Sequence, residues 1–244
     1  MAGRLKIAFW LETDSQHACE IAARTGYDIV ILDMEHGVLS VHDVDRLVPF
    51  CKALGLVTYV RTAAPERAPI QQALDAGADG VILPQIQSAA HAAEVTAFAK
   101  FAPAGSRGMG FSRIMDYAGT PRTWPEKQNA ATVCYAQVET VGALQEAAEI
   151  AALPTVDGLF LGPSDLSMAR GRGPNRWAKA DVEDLNRVAR AARKAGKLFA
   201  TTGAESAKSR KAGLDVSADF LTAGDNLSAL SAGFDQLLRA AKGR

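Results

Sequence analysis

The chain has 244 residues, 48% of them hydrophobic and 22% charged, and its 27 basic residues balance its 27 acidic ones. This balance argues against nucleic acid or an anionic membrane surface as a partner, and no apolar run approaches the roughly 18 residues that a membrane span needs. The 3 cysteines lack CxxC spacing and no secretory signal is evident, so we expect reduced thiols, a cytoplasmic location and one domain over residues 1–244.

Short apolar runs alternate with helix-forming segments along the chain. Strands are predicted at residues 6–11, 28–33, 56–61, 80–84, 133–138, 158–161, 197–201 and 219–222. Helices are predicted at 15–24, 40–54, 66–76, 89–100, 181–195, 205–212 and 228–240, with one more between the fifth and sixth strands. Eight βα units in one domain fit an α/β fold of the (β/α)8 TIM-barrel type better than a doubly wound sheet.

Residues 103–131 interrupt this alternation. The segment contains 3 prolines, 4 glycines and Trp124, and a helix is expected at most in its second half. Because connections this long usually carry function in a compact domain, we predict an active-site or interface loop.

Two consecutive strands each end on a carboxylate. The strand at 133–138 stops at Glu139, and the strand at 158–161 runs through Gly162, Pro163 and Ser164 to Asp165. Parallel strands joined by a helix end at the same edge of the sheet, so the two carboxylates should converge. Carboxylate oxygens suit a hard divalent cation such as Mg²⁺ or Mn²⁺.

Other strand ends of the predicted barrel also carry polar side chains, at the face where TIM barrels place their active sites. They are Trp10 and Glu12; Asp33, Glu35, His36 and Gly37; Arg61; Pro84 and Gln85; Gln137; and Thr222 and Gly224. Four neighbouring ends thus offer a base candidate, a cation and two carboxylates.

Each candidate has a structural interpretation beside the functional one. His36 follows Asp33, whose carboxylate could fix the ring tautomer and raise its basicity, whereas the other histidines fall in predicted helices. Arg61 could form a salt bridge or neutralise an enolate. Glu139 and Asp165 could cap helices, and Trp10 could be a pocket wall or core.

The helix predicted to open at Gly162-Pro163-Ser164 could present backbone N–H groups to a substrate carboxylate. Gly108-Met109-Gly110 lacks the third glycine of a dinucleotide fingerprint and does not follow a strand. A Schiff-base aldolase needs a lysine in the barrel mouth. Lys6 and Lys197 lie at strand starts, and Lys52 and Lys100 end helices, so a metal-dependent enolate mechanism is favoured.

Several of these segments, taken as a set, resemble the HpcH/HpaI aldolase/citrate lyase family, in particular its smaller members. The matching pieces are Asp33-Met34-Glu35-His36; Val60-Arg61; Leu74-Asp75-Ala76-Gly77-Ala78; Pro103-Ala104-Gly105-Ser106-Arg107-Gly108; Gln137-Val138-Glu139; and Gly162-Pro163-Ser164-Asp165-Leu166-Ser167. They follow the family's order over most of the chain. No single piece would be specific.

The resemblance implies a metal-dependent pyruvate aldolase on a TIM barrel. Glu139 and Asp165 would bind the divalent metal, Mg²⁺ or Mn²⁺ with Co²⁺ or Zn²⁺ as substitutes, and Gln137 would lie beside them. His36 would be the base, oriented by Asp33 or Asp75.

For the substrate, the resemblance implies that Arg61 stabilises the pyruvate enolate and that the amides around Ser164 and Asp165 hold the pyruvate carboxylate. It also implies a homo-oligomer, a hexamer in which the last helix is exchanged between subunits. Glu12 and Thr13, and the segment Thr201-Thr202-Gly203, depart from the family pattern. Both lie where the aldehyde half is expected, so the acceptor aldehyde stays open.

Two other functions remain as alternatives. A citrate-lyase-like acyl-CoA lyase is disfavoured by the short chain and by the lack of a basic patch for a CoA phosphate. A non-catalytic 2-oxo-acid sensor on the same scaffold would bind a small molecule without turnover.

Overall fold

The computed structural model describes residues 5–243, and within them eight parallel strands close into a barrel in chain order, with β1 beside β8. The strands are β1 (Lys6–Leu11), β2 (Ile29–Asp33), β3 (Val57–Arg61), β4 (Gly80–Leu83), β5 (Val133–Val138), β6 (Gly158–Leu161), β7 (Leu198–Thr202) and β8 (Phe220–Asp225). The predicted TIM barrel and its eight strands are confirmed.

Helices follow the strands and cover the outside of the barrel. They are α1 (Gln16–Thr25), α2 (Val41–Ala53), α3 (Arg67–Asp75), α4 (Ala89–Thr96), α5 (Trp124–Ala131), α6 (Val141–Gln145), α7 (Ala147–Ala151), α8 (Pro163–Ala169), α9 (Lys179–Lys194), α10 (Ala207–Asp215) and α11 (Asn226–Ala241). Across the described residues, none of these helices is long and apolar enough to cross a membrane.

The helix predicted between the fifth and sixth strands is two helices. Glu146 breaks it, with backbone angles of −104° and 21° between α6 and α7. Its carboxylate Oε2 accepts a hydrogen bond of 2.6 Å from the Ala89 amide at the start of α4. The helix predicted at 89–100 also differs, since it ends at Thr96 and continues as a 3-10 turn, Ala97–Ala99.

Apolar side chains on both faces of the strands build two cores, as expected for a parallel sheet covered by helices. The larger core lies between the strands and the surrounding helices. The smaller one fills the barrel, where Tyr59, Tyr135, Phe160 and Phe220 pack with ring centroids 5.7–6.0 Å apart. This aromatic layer divides the barrel interior, with one cavity above it at the C-terminal strand ends and another of about 510 Å³ below it at the strand starts.

The segment 103–131 lies outside the barrel mouth. Arg107, Arg113 and Asn129 of this segment contact α3, α2 and the end of the α4 region respectively. Its second half forms α5, as expected. Within residues 5–243 it contributes no side chain to the cavity described below. Its role as an active-site or interface loop stays a prediction.

Candidate active site

A cavity of about 170 Å³ opens at the C-terminal strand ends, above Phe160. Its walls are Trp10, Glu12, Arg61, Gln137, Phe160, Gly162, Pro163, Ser164, Asp165 and Thr202. A larger groove of about 660 Å³ lies outside the barrel between α1 and the start of α11, and its lining is mostly apolar. The smaller cavity is the candidate site because polar groups from several strand ends converge there.

Arg61 and Asp33 form a buried, two-point ion pair at the ends of β3 and β2. Arg61 Nε and Nη2 donate to the Asp33 carboxylate at 2.8 and 2.5 Å. Burial acts to lower the pKa of Arg61, but the bonds to Asp33 outweigh it and raise the pKa, so the guanidinium stays charged. The same group lies 4.4 Å over the Trp10 ring. Trp10 is therefore a wall of the cavity.

The Asp33 carboxylate is used by groups other than the His36 ring. Besides Arg61, it accepts from the backbone amides of Glu35 and His36 at 3.0 and 3.4 Å. Asp75 ends α3 and accepts from Arg107 Nη2 at 2.6 Å. In this structure the nearest carboxylate recorded for the His36 ring among residues 5–243 is that of Glu35, so its orientation by Asp33 or Asp75 stays a prediction.

His36 instead approaches Glu35. Its Nε2 lies 3.9 Å from Glu35 Oε2, and the side chain is 58% exposed beside the cavity rather than in its wall. Glu35 Oε2 also lies 3.3 Å from Arg61 Nη1. Burial raises the pKa of Glu35, although Arg61 and His36 act in the opposite direction. Glu35 thus connects the base candidate to the cation.

Glu139 is 2% exposed at the end of β5. Its Oε1 accepts from the Gln85 amide at 2.6 Å, and its Oε2 accepts from Gln137 Nε2. Burial raises the pKa of Glu139 to about 7, and the neighbouring charges of Glu35 and Asp165 add to the increase. Burial thus outweighs the hydrogen bonds from Gln85 and Gln137 that favour the charged carboxylate.

These residues fit a divalent cation. Gln137 Oε1 is buried and has no hydrogen-bond partner among residues 5–243. Together with the carboxylates of Glu139 and Asp165 it offers an oxygen donor set, and a cation would relieve the charge that raises the Glu139 pKa. The part of the chain that the structure describes holds no group of three His, Cys, Asp or Glu side chains suited to a metal. Mg²⁺ commonly needs only one or two carboxylates, with water and substrate completing its shell.

Gly162 allows β6 to approach the Glu139–Gln137 pair. A Cβ atom on Gly162 would lie 2.8 Å from Glu139 Oε2 and 3.2 Å from Gln137 Nε2. A side chain at this position would displace the Glu139 carboxylate from its place in the pair. Glycine before Pro163 thus leaves the Glu139–Gln137 hydrogen bond undisturbed.

Glu35 and Gln85 were noted at strand ends in the sequence analysis without a role of their own. Glu12 and Thr202 were noted where the aldehyde half is expected, but their neighbours could not be predicted from spacing. Gln85 adopts φ of 55°, a left-handed conformation unusual for a residue with a side chain. A polar residue directly after a strand-ending proline was the available signal.

The lysines lie away from the cavity. Lys197 Nζ donates to the Val156 carbonyl at 2.6 Å, below the start of β6, and Lys100 Nζ bonds the Thr132 carbonyl before β5. Among residues 5–243, no lysine lines the cavity. This agrees with the expectation drawn from their positions in the sequence.

The chain is similar in sequence and in structure to known proteins. A family model described as HpcH/HpaI aldolase/citrate lyase matches residues 6–230. The chain is 34% identical over 215 residues to a hydroxypyruvate/pyruvate aldolase of Paraburkholderia phytofirmans, covering 84% of this chain and 82% of that protein. It is 32% identical over 176 residues to a 2-dehydro-3,6-dideoxy-6-sulfogluconate aldolase of Pseudomonas putida, covering 72% and 69%. The crystal structure of an HpcH/HpaI aldolase from Desulfitobacterium hafniense DCB-2 superposes with a TM-score of 0.91 at 28% identity, over 99% of this chain and 94% of that one.

Proposed function

Because the chain belongs to the HpcH/HpaI aldolase/citrate lyase family, we propose that it is a class II pyruvate aldolase. It would reversibly cleave a 4-hydroxy-2-oxo acid to pyruvate and an aldehyde through the pyruvate enolate. The single observation that carries this proposal is the convergence of Arg61 and Asp165 at one small cavity, whose wall residue Gln137 is hydrogen-bonded to Glu139. Two carboxylates able to hold a cation face a guanidinium able to stabilise an anion.

Glu139 and Asp165 would hold the divalent cation, Mg²⁺ or Mn²⁺ with Co²⁺ or Zn²⁺ as substitutes, and Gln137 would lie beside it. When bound, the cation would act as a Lewis acid that stabilises negative charge developing on the substrate oxygens. The raised pKa of Glu139 supports this assignment, because a carboxyl group that is costly to ionise alone becomes favourable next to a cation.

Arg61 would stabilise the enolate from the β3 side. Its two bonds to Asp33 and its position over Trp10 fix the guanidinium, so little reorganisation is needed when charge develops. The amides of Ser164 and Asp165 open α8, and the first amides of a helix have no partner within the helix. They would donate to the pyruvate carboxylate.

His36 would serve as the base. In the cleavage direction it takes the proton of the 4-hydroxyl group, the bond between C3 and C4 breaks, and its electron pair forms the enolate. Protonation at C3 then releases pyruvate. Exposure of the ring allows proton exchange with solvent, and Glu35 lies between His36 and Arg61. Decarboxylation of oxaloacetate passes through the same enolate and is an expected side activity.

The Glu139→Gln variant tests the proposal. It should lower the rate of pyruvate release by more than the roughly 10–100-fold that loss of a supporting residue around a metal causes. Glu66→Gln is a matched control, because Glu66 is an exposed rim carboxylate that caps no amide with its side chain. Wild-type turnover with unchanged metal dependence in Glu139→Gln would refute the ligand assignment. A sensor would show no turnover in any variant.

We also propose a homo-oligomer, a hexamer in which α11 is exchanged between subunits. Apolar side chains of this helix are 46–68% exposed, namely Leu227, Leu230, Phe234, Leu237 and Leu238. Exposed apolar patches of this extent mark interaction surfaces. The apolar groove between α1 and the start of α11 supports the same proposal, because it offers a place for such a helix.

A further inference from the structure

We propose that Glu12 selects the aldehyde half of the substrate, favouring a neutral aldehyde that carries a hydroxyl group over one that carries a second carboxylate. This inference rests on the proposed aldolase function and specifies its substrate class.

The backbone at Glu12 is held from two sides. Its N–H donates to Asn226 Oδ1 at 2.8 Å, and its carbonyl accepts from the Val38 amide at 2.9 Å. A Cβ atom on Gly37 would lie 2.8 Å from that carbonyl oxygen, so the loop after β2 packs directly against the end of β1. The direction in which the Glu12 side chain leaves the backbone is therefore fixed by its neighbours.

The Glu12 carboxylate forms part of the cavity wall, and Thr202 at the end of β7 forms another part. Among residues 5–243, no side chain or amide donates a hydrogen bond to this carboxylate. Burial raises the pKa of Glu12, and the charges of Asp225 and Asp33 add to the increase. A partly buried carboxylate without a donor is ready to accept a hydrogen bond from a substrate hydroxyl.

Position in the barrel assigns Glu12 to the aldehyde half. The strands close in chain order, so β1 lies opposite β5 across the mouth. Glu139, directly after β5, is a proposed ligand of the cation, and the amides of Ser164 and Asp165 after β6 are the proposed contacts of the pyruvate carboxylate. The carbon chain beyond C3 would then extend away from β5 toward Glu12 at the end of β1. Thr202 ends β7, the strand beside β6, and borders the same cavity.

Charge at the mouth disfavours an anionic aldehyde. The carboxylates of Glu12 and Asp165 line the cavity, while the charge of Arg61 is already matched by Asp33 and Glu35. The positive charge of the bound cation would be balanced by its carboxylate ligands and by pyruvate. A second carboxylate would therefore meet Glu12 without a cation to pair with, and repulsion of this kind is a common source of specificity.

The experiment uses the metal-loaded enzyme in its native assembly and runs the aldol addition of pyruvate. Glyceraldehyde, a neutral hydroxylated aldehyde, competes with succinic semialdehyde, which carries a carboxylate. The readout is the ratio of the two kcat/KM values, so changes in total activity cancel. Wild type should favour glyceraldehyde by at least about tenfold, and Glu12→Gln should shift the ratio toward the anionic aldehyde by a similar factor.

Glu12→Ala gives a second measurement if the glutamine variant folds poorly, and Glu66→Gln, which removes an exposed rim charge, should keep the wild-type ratio. Exchange of the pyruvate methyl protons into D2O reports enolate formation without any aldehyde. If wild type exchanges these protons but neither Glu12 variant changes the ratio, the inference is overturned while the aldolase function stands. If wild type shows neither exchange nor addition, the proposed function fails and the inference fails with it.

Discussion

Glu139 is buried, although its proposed role as a metal ligand requires a charged carboxylate. Its carboxylate is almost inaccessible to solvent, and burial raises its pKa to about 7 from the ordinary 4.5. The Gln85 amide and Gln137 Nε2 compensate only in part. Without a cation, the folded protein therefore holds this group in its charged form at a free-energy cost.

That cost predicts a pH dependence of stability in the metal-free protein. Between pH 4.5 and 7 the folded state binds the Glu139 proton and the unfolded state releases it, so this group's contribution to stability falls as pH rises. Glu139→Gln lacks the effect. The variant's free energy of unfolding minus that of wild type should increase by about 3 kcal/mol from pH 4.5 to 8. Urea denaturation in EDTA at several pH values measures it, and a difference that is flat with pH would contradict the account.

For single residues, the sequence predicts which side chains lie at the strand ends better than it predicts which groups they contact. The positions of Arg61 and Glu139 could be predicted because apolar runs stop at these residues, and Asp165 follows the next such run by four residues. The partner of Asp33 could not, since both His36 and Arg61 lay within reach of a strand-end carboxylate. Glu35 was present in the same segment, but only the observed turn after β2 places it between His36 and Arg61.

The loops that follow β1 and β2 act as one element at the mouth. Gly37 lies where a Cβ atom would be 2.3 Å from the Asp33 carbonyl and 2.8 Å from the Glu12 carbonyl. The Val38 amide bonds the same Glu12 carbonyl. Close packing of two backbones thus positions both the Arg61–Asp33 pair and the Glu12 side chain.

Gly37→Ala should therefore disturb the site through the backbone around Asp33 and His36, without removing a proposed catalytic side chain. Backbone atoms cannot move aside as a flexible side chain can, so we expect a loss of about 1–3 kcal/mol of stability together with reduced aldolase activity. Gly110→Ala is the matched control, because a Cβ atom there would meet nothing within 4 Å. Thermal unfolding and pyruvate release measure both effects. If the two variants had the same stability and the same activity, the close backbone contact at Gly37 would not be what positions the site.

The bounds of strands and helices could be predicted where local sequence signals agree. They could not be predicted where a contact with a distant part of the chain determines where a helix ends. The strands were predicted within one or two residues at most ends because apolar runs between glycines and caps are unambiguous. Glu146 carries no helix-breaking signal of its own. Its bond to the Ala89 amide joins two elements that are 57 residues apart in sequence, and no local pattern reports such a contact.

The whole molecule presents one apolar helix to its surroundings. Residues of α11 after Asn226 are exposed or nearly so, although the helix is amphipathic in sequence. A groove with an apolar lining lies beside its start. An amphipathic sequence looks the same whether its apolar face covers its own barrel or a neighbouring subunit, so the barrel could be predicted from the chain but the assembly could not be derived from it.

Phe234→Glu tests the proposed assembly. Phe234 is exposed within one chain, so the introduced charge should leave the barrel folded. It should also weaken binding of α11 to another subunit, because a carboxylate would replace an apolar contact. Sedimentation should show a smaller species than wild type. Gln236→Glu adds the same charge at a polar position of the same helix and should keep the wild-type mass. An unchanged mass in Phe234→Glu would place the interface elsewhere.

The most direct test of the central claim is pyruvate release from a panel of 4-hydroxy-2-oxo acids, measured before and after EDTA treatment and again after adding Mg²⁺, Mn²⁺ or Co²⁺. The proposed chemistry predicts release that EDTA abolishes and a divalent metal restores, with Glu139 and Asp165 required for the restoration. Release that survives complete metal removal would contradict it and point to a Schiff-base lysine. The absence of release, with oxaloacetate also unreactive, would contradict the aldolase assignment itself.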